Sequence, residues 1–206
     1  MFANKIRWRL YDRLLEFFAR GGLALGICNG FQTMVRLGML PGFDSDYRTP
    51  RATLAPNDRL GYRDAWVRLA FDPESPCVWT RGLGALDLPA RHGEGKFLPA
   101  DDEVHARLES GHLVAARYVG PDGRPTQEWP WNPNGSPRAV AGVCDPSGRL
   151  FGLMPHPDAF LYAFQHPLWF RTRREGGSGM PRGGSLEEGG GVAIFRNGVD
   201  AVASGS

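Results

Sequence analysis

Gly21-Gly22-Leu23-Ala24-Leu25-Gly26-Ile27-Cys28-Asn29-Gly30-Phe31-Gln32 is the stretch on which the fold turns. Leu23 to Ile27 is a short apolar run of the kind that fills a buried parallel strand. Cys28 and Gly30 follow it, and from Phe31 to Leu37 apolar residues recur at helical spacing. A strand, a tight turn with a nucleophile at its apex and then a helix make a nucleophile elbow. Here it is Gly26-x-Cys28-x-Gly30, with cysteine in the place usually taken by serine. Gly26 and Gly30 are expected where a Cβ would clash as backbone segments pass a strained turn. The helix after Cys28 points its free N–H groups at the sulfur, which favours thiolate over thiol. Most lone cysteines are small core residues. A cysteine between glycines at a strand-to-helix apex points instead to a nucleophile.

A second stretch supplies a base. Gly148 to Met154 is again a short apolar strand after a turn, Asp145-Pro146-Ser147-Gly148, and it runs into Pro155-His156-Pro157-Asp158. A histidine between two prolines cannot sit inside a helix or central strand, and its backbone is held rigid. Asp158 can reach back to the ring and set which nitrogen carries the proton. Nucleophile, base and orienting carboxylate are the parts of a triad, in the order Cys28, His156, Asp158.

Gly26 to Gln32 and Met154 to Pro157 resemble the signatures of class I (triad) glutamine amidotransferases. Three further stretches are similar to the glutaminase subunits of phosphoribosylformylglycinamidine synthases: His92-Gly93-Glu94-Gly95-Lys96-Phe97, Asn132-Pro133-Asn134-Gly135-Ser136 and Gly142 to Arg149. The similarity runs from about Asn4 to Phe170, and Val192 to Val202 resembles a closing strand and helix. It implies a flavodoxin-like α/β fold, a mixed, mostly parallel sheet with flanking helices, in one domain over residues 1–206. It also implies a triad of Cys28, His156 and Asp158, with Asn29, Gly30 and Gln32 at the substrate. His92, Glu94, Asn134 and Ser136 would lie on loops near the glutamine site or a synthetase interface. The family more often has glutamate where Asp158 stands, so the bond that orients the histidine is expected to be long or water-bridged.

The activity implied is hydrolysis of glutamine, with ammonia passed to a synthetase subunit accompanied by a small accessory subunit. That synthetase converts formylglycinamide ribonucleotide to its amidine in purine biosynthesis. ATP and Mg are expected on the synthetase, because this chain has no Gly-x-x-x-x-Gly-Lys-Ser/Thr loop and calls for no cofactor of its own. The resemblance further implies sheet strands and a Gly-rich oxyanion loop ahead of the first helix. The chain is therefore read as N-terminally truncated. Two other readings stay open, a non-catalytic amidotransferase-like scaffold and a cysteine hydrolase of other specificity.

Composition narrows the rest. With 206 residues, 42% hydrophobic, there is length enough for a real core. Lys plus Arg is 24 against 22 Asp plus Glu, and the net charge of +2 makes no case for nucleic acid or membrane. Three widely spaced cysteines form no disulfide framework, no apolar run reaches membrane-spanning length, and the N-terminus lacks a signal-peptide core. A cytoplasmic location follows.

Between the motifs, Asn4 to Arg20 is expected as one amphipathic helix carrying Ile6, Leu10, Leu14, Phe17 and Phe18, stopped by Gly21-Gly22. Asp44 to Asp58 is expected as a polar surface loop, Tyr62 to Phe71 as a strand and Ser75 to Thr80 as another. His92 and Glu94 could be metal ligands, but no third ligand is spaced to complete a site. Asp101 to Ser110 is expected as a short polar helix or turn, Leu113 to Val119 as a strand and Trp129 to Pro137 as an irregular loop. Ala139 to Cys144 is expected to hairpin into the strand before His156. Cys77, Cys144 and His166 are read as structural, and 171–191 as a flexible Gly-rich insert. Val192 to Phe195 is expected as a strand, with Ala201 to Ser206 frayed.

Overall fold

A computed structural model describes residues 2–174 and 187–204. Most of the expected insert therefore lies outside the described residues. The α/β fold is as expected: a mixed six-stranded sheet in the order β1-β8-β7-β6-β3-β4, with helices around it and a separate two-stranded ribbon. Its strands are β1 (Ala24–Ile27), β3 (Arg63–Phe71), β4 (Leu86–His92), β6 (Ala116–Tyr118), β7 (Val140–Cys144) and β8 (Leu150–Leu153). The ribbon pairs β2 (Ala52–Pro56) with β5 (Glu94–Pro99). The sheet is mixed but not mostly parallel as expected: among the described residues parallel pairing is confined to β1 and β8, and the other four ladders of the large sheet run antiparallel.

The first helix is broken. α1 (Phe2–Arg9) and α2 (Tyr11–Ala19) meet at Leu10, whose φ of −130° leaves the helical path. The break rotates the expected apolar stripe, so Phe18 and Tyr11 are buried while Leu10 and Phe17 are half exposed. α3 (Asn29–Leu37) follows the elbow, buries Phe31, Met34, Val35 and Leu37, and ends at Gly38 with φ +85°. α4 (Asp102–Ser110) is capped by Asp101, whose carboxylate accepts from the Val104 N–H at 2.8 Å.

Four expectations change. Asp44 to Asp58 is not all loop: β2 forms there, because Leu54 buries against the β5 side. Ser75 to Thr80 is not a strand. Val78 N–H donates to Gly148 O at 3.0 Å and residues 78–80 close into a 3-10 turn. His92 to Phe97 is not a loop but the β4–β5 connection and the start of β5. Val192 to Phe195 opens a helix, α6 (Val192–Ser204), which continues through Ala201 and packs Gly198 on the Trp79 ring. Of the segment read as an insert, Trp169–Arg174 forms a short helix, α5. His166 is indeed packed, edge-on to Trp66 with centroids 4.6 Å apart, but it has a carboxylate at 3.7 Å, that of Asp87.

The core is continuous across the sheet, with Leu69, Leu88, Tyr118, Phe151 and Leu153 sealed from solvent. Gly152 lets α3 lie close on it, since a Cβ there would fall 2.0 Å from the Phe31 ring. The sheet curls until its two edges meet. His156 N–H, just past β8, donates to Pro89 O on β4 at 2.7 Å. The Cys28 thiol, just past β1, lies 3.6 Å from Arg91 O on the same strand.

Candidate active site

Parallel register sets the geometry. Ala24 pairs with Leu150 and Ile27 with Leu153, so β1 and β8 leave the sheet side by side at the same end. Cys28 is the next residue of one chain, and Met154-Pro155-His156 is the exit of the other. Cys28 N–H donates to Leu153 O at 2.8 Å, which locks the turn to β8.

At the apex Cys28 has φ +50° and ψ −104°, a strained conformation for a side-chain-bearing residue. The reason for Gly26 is plain, because a Cβ there would meet Gly30 C at 2.8 Å and Phe31 N at 2.9 Å. Gly30 differs from the expectation: a Cβ would meet nothing within 4 Å. Gly30 therefore relieves no clash, and the space over it is open.

The thiol is half buried, and burial pushes its pKa up; the N–H of Asn29 pulls the other way and the Asp158 carboxylate adds to the rise. The expected preference for thiolate is thus overturned. The helix N-terminus contributes one N–H, and desolvation outweighs it. A thiol held this way would need a base to act as a nucleophile.

His156 stands between Pro155 and Pro157, and the 3-10 turn Pro157–Ala159 carries Asp158 back to its ring. Nδ1 lies 3.2 Å from Asp158 Oδ1, a direct bond at the long end of the hydrogen-bond range, the first of the two expected alternatives. With Nδ1–H given to the carboxylate, Nε2 is left as an acceptor, and it is buried with no partner.

The β4–β5 connection forms the facing wall. Gln32 Nε2 donates to Glu94 O at 2.5 Å, and a cleft of about 330 Å³ opens beside Gln32 and Glu94. His92 is 2% exposed. Asn57 Nδ2 donates to His92 O and Gly61 O, which turns Oδ1 toward His92 Nδ1 at 3.2 Å. Nδ1 is therefore the protonated nitrogen of His92, and Nε2 is a buried bare acceptor. Burial and the neighbouring His156 hold the His92 pKa down at about 4, so its ring is neutral at pH 7.

Asn134 and Ser136 point inward. Asn134 Nδ2 donates to Tyr118 OH at 3.0 Å, and Ser136 Oγ donates to Asn134 Oδ1 at 2.7 Å while accepting from Phe97 N–H. Both are sealed from solvent and brace the wall from behind, whereas Glu94 and Asn29 are exposed. Asn57 and the Arg91 carbonyl escaped the sequence reading. Asn57 lay in a stretch taken for surface loop, and a backbone carbonyl leaves no mark in side-chain pattern.

A model of the CobB/CobQ-like glutamine amidotransferase domain matches residues 1–200. The chain belongs to that family. Among the amidotransferases it resembles, the PurQ subunit of phosphoribosylformylglycinamidine synthase from Dehalococcoides mccartyi is 41% identical over 197 residues, 96% of this chain and 70% of that protein. The PurQ subunit from Methanococcus maripaludis strain S2 is 41% identical over 167 residues, 81% of this chain and 61% of that protein. The chain thus spans between 61% and 70% of these two relatives. A solved structure of PurLQS from Thermotoga maritima matches with a TM-score of 0.65 at 22% identity, covering 97% of this chain and 71% of the matched chain. That likeness establishes the amidotransferase fold.

Proposed function

We propose that this chain is the glutaminase of a phosphoribosylformylglycinamidine synthase. In this reading it hydrolyses the side-chain amide of glutamine and passes ammonia to a synthetase subunit. The synthetase, with ATP and a small accessory subunit, turns formylglycinamide ribonucleotide into its amidine in purine biosynthesis. Two relatives bear that enzyme's name. The observation that carries the reading is the parallel β1–β8 register, which delivers a strained cysteine and a carboxylate-oriented histidine to one edge of the sheet.

The chemistry follows from the geometry. Rotation of the Cys28 side chain off the Arg91 carbonyl hands the thiol proton to His156 Nε2, and Sγ attacks the amide carbon. The oxyanion takes up the Asn29 N–H that now faces the sulfur. His156 returns its proton to the leaving nitrogen, ammonia departs and a thioester remains. Water, deprotonated by the same Nε2, then releases glutamate and restores the thiol. Open space over Gly30 leaves room for the substrate there, and Gln32, anchored on Glu94 O, borders a neighbouring cleft whose lining does not include Cys28 or His156. We place the protein in the cytoplasm; among the described residues no helix is long and apolar enough to cross a membrane, and the three cysteines are free.

The test is covalent capture by the glutamine analogue diazo-oxo-norleucine, read by intact mass, with Cys28→Ala as control. Labelling that glutamine protects against and that the control abolishes supports the reading. A folded chain that stays unlabelled with the synthetase present refutes it.

A further inference from the structure

We infer that Leu60, Tyr62, Trp129 and Trp131, with Arg59 and Arg63 laid across them, form the surface on which the ammonia-accepting subunit docks, through a face that is apolar and acidic. The inference rests on the function proposed above and gives its partner an address.

Four large apolar side chains stand in water here: Leu60 is 91% exposed, Tyr62 65%, Trp129 41% and Trp131 40%. Two loops far apart in sequence meet to present them. The Arg59 and Arg63 guanidinium groups sit over the Trp129 ring at 4.9 and 4.7 Å, and Asp58 N–H donates to Asn134 O at 3.2 Å. Arg63 Nη2 also donates to Arg59 O and Leu60 O, so the turn is held in shape without a partner present. Tryptophan, tyrosine and arginine are the residues that dominate binding energy at protein interfaces, and a clustered apolar patch of this kind marks such a site.

Charge names the chemistry of the partner. Among the described residues, no carboxylate lies within ion-pair distance of Arg59 or Arg63. The nearby acids are taken, Asp58 by Lys96 at 2.5 Å and Asp64 by Arg91 at 3.3 Å. Two uncompensated guanidinium groups over exposed aromatics suit a face that brings carboxylates around an apolar centre.

Location ties the patch to the thiol. Arg63 pairs with His92 across the β3–β4 ladder, Asn57 at the base of the same turn holds the His92 ring, and the neighbouring Arg91 carbonyl contacts Cys28 Sγ. Ammonia released into open water becomes ammonium, which has no lone pair with which to attack. An accepting subunit must therefore seal against the rim of this site, and this patch is part of that rim.

The experiment combines the full chain with its purified synthetase and accessory subunits in sedimentation velocity, at low and high salt. Leu60→Asp and Arg59→Glu are compared with wild type. Both positions are solvent-facing turn residues outside the catalytic machinery, so diazo-oxo-norleucine labelling of Cys28 is expected to proceed at the wild-type rate. Complex formation should weaken by about tenfold or more in each variant, and the steep loss of affinity with salt shown by wild type should flatten in Arg59→Glu. Variants that label and bind as wild type overturn the docking surface and leave the proposed function standing. Wild-type protein that labels but binds no synthetase also overturns it, as does a patch that instead mediates self-association. Wild-type protein that does not label even with the subunits present sinks the functional reading itself.

Discussion

The two sides of this site are built in different ways. The proposed nucleophile and base arrive on adjacent parallel strands, β1 and β8, each at the end of a short apolar run. The wall facing them comes from β4, at the other edge of the sheet, and from β5 of the ribbon that follows it, and β4 reaches the site only because the sheet curls. The first side carries reactive atoms. The second carries carbonyls that hold them, Pro89 O for the backbone of His156 and Arg91 O for the thiol. Reactive groups are placed by neighbours, and their surroundings are set by long-range pairing. Each half can be broken separately.

The largest effect is expected on the first side. Cys28→Ala should lower glutamine hydrolysis by about 10⁴-fold or more, since members of a nucleophile–base unit are individually indispensable. Circular dichroism should show the fold retained, because the turn is fixed by the Cys28 N–H bond to Leu153 O and not by the sulfur. Residual hydrolysis within a factor of about ten of wild type would remove Cys28 from the mechanism.

On the wall, the effect should appear as a pH dependence of stability. His92 has a pKa of about 4 in the fold against an ordinary 6.5. The unfolded chain accepts a proton below about 6.5 that the folded chain refuses until about 4, so unfolding gains a proton and stability falls as pH drops through that window. Below the window the loss is complete, at about 3 kcal/mol. His92→Asn removes the titrating ring, and urea unfolding at pH 7 and pH 4.5 should show a correspondingly smaller drop in the variant. Equal drops in the two proteins would mean that the ring is not held neutral.

These halves also differ in how much of them can be read without coordinates. Elements whose cause is local were legible. The elbow and the Pro-His-Pro turn follow from residues a few positions apart. The His92–Phe97 stretch looked like a loop because its glycines signal turns, and its pairing partner, β2, lies some forty positions earlier in the chain. The neutral state of His92 depends on burial and on His156, and that of the thiol on burial, and neither is written in spacing. The expected thiolate failed for the same reason, because a sequence shows the helix N-terminus but not the desolvation that opposes it.

A smaller effect separates the orienting bond from the nucleophile. The Asp158 side chain is about half exposed and its bond to Nδ1 is 3.2 Å. Solvent screens such a pair, so Asp158→Asn should reduce kcat by about 10–100-fold, the range for partners that orient a reactive ring, with KM for glutamine little changed. A loss near the ~10⁴-fold seen for a fully buried triad carboxylate would mean that the turn tightens when glutamine binds. Steady-state kinetics on the variant decides between the two.

The smallest effect tests the elbow from inside, using two glycines that look equivalent in the sequence. Gly26→Ala places a methyl against the backbone of Gly30 and Phe31, which has no flexible end to move aside, so it should cost about 1–3 kcal/mol of stability. Gly30→Ala adds its methyl to open space in the first turn of α3, where alanine is the better helix former. It should leave stability unchanged or raise it by up to about 1 kcal/mol. Its effect should fall instead on glutamine, as a rise in KM, because the methyl fills open space at a position that the family resemblance puts at the substrate. Equal melting temperatures for the two variants would mean that the elbow relaxes enough to hide the difference. A Gly30→Ala enzyme with unaltered KM would place the substrate away from Gly30.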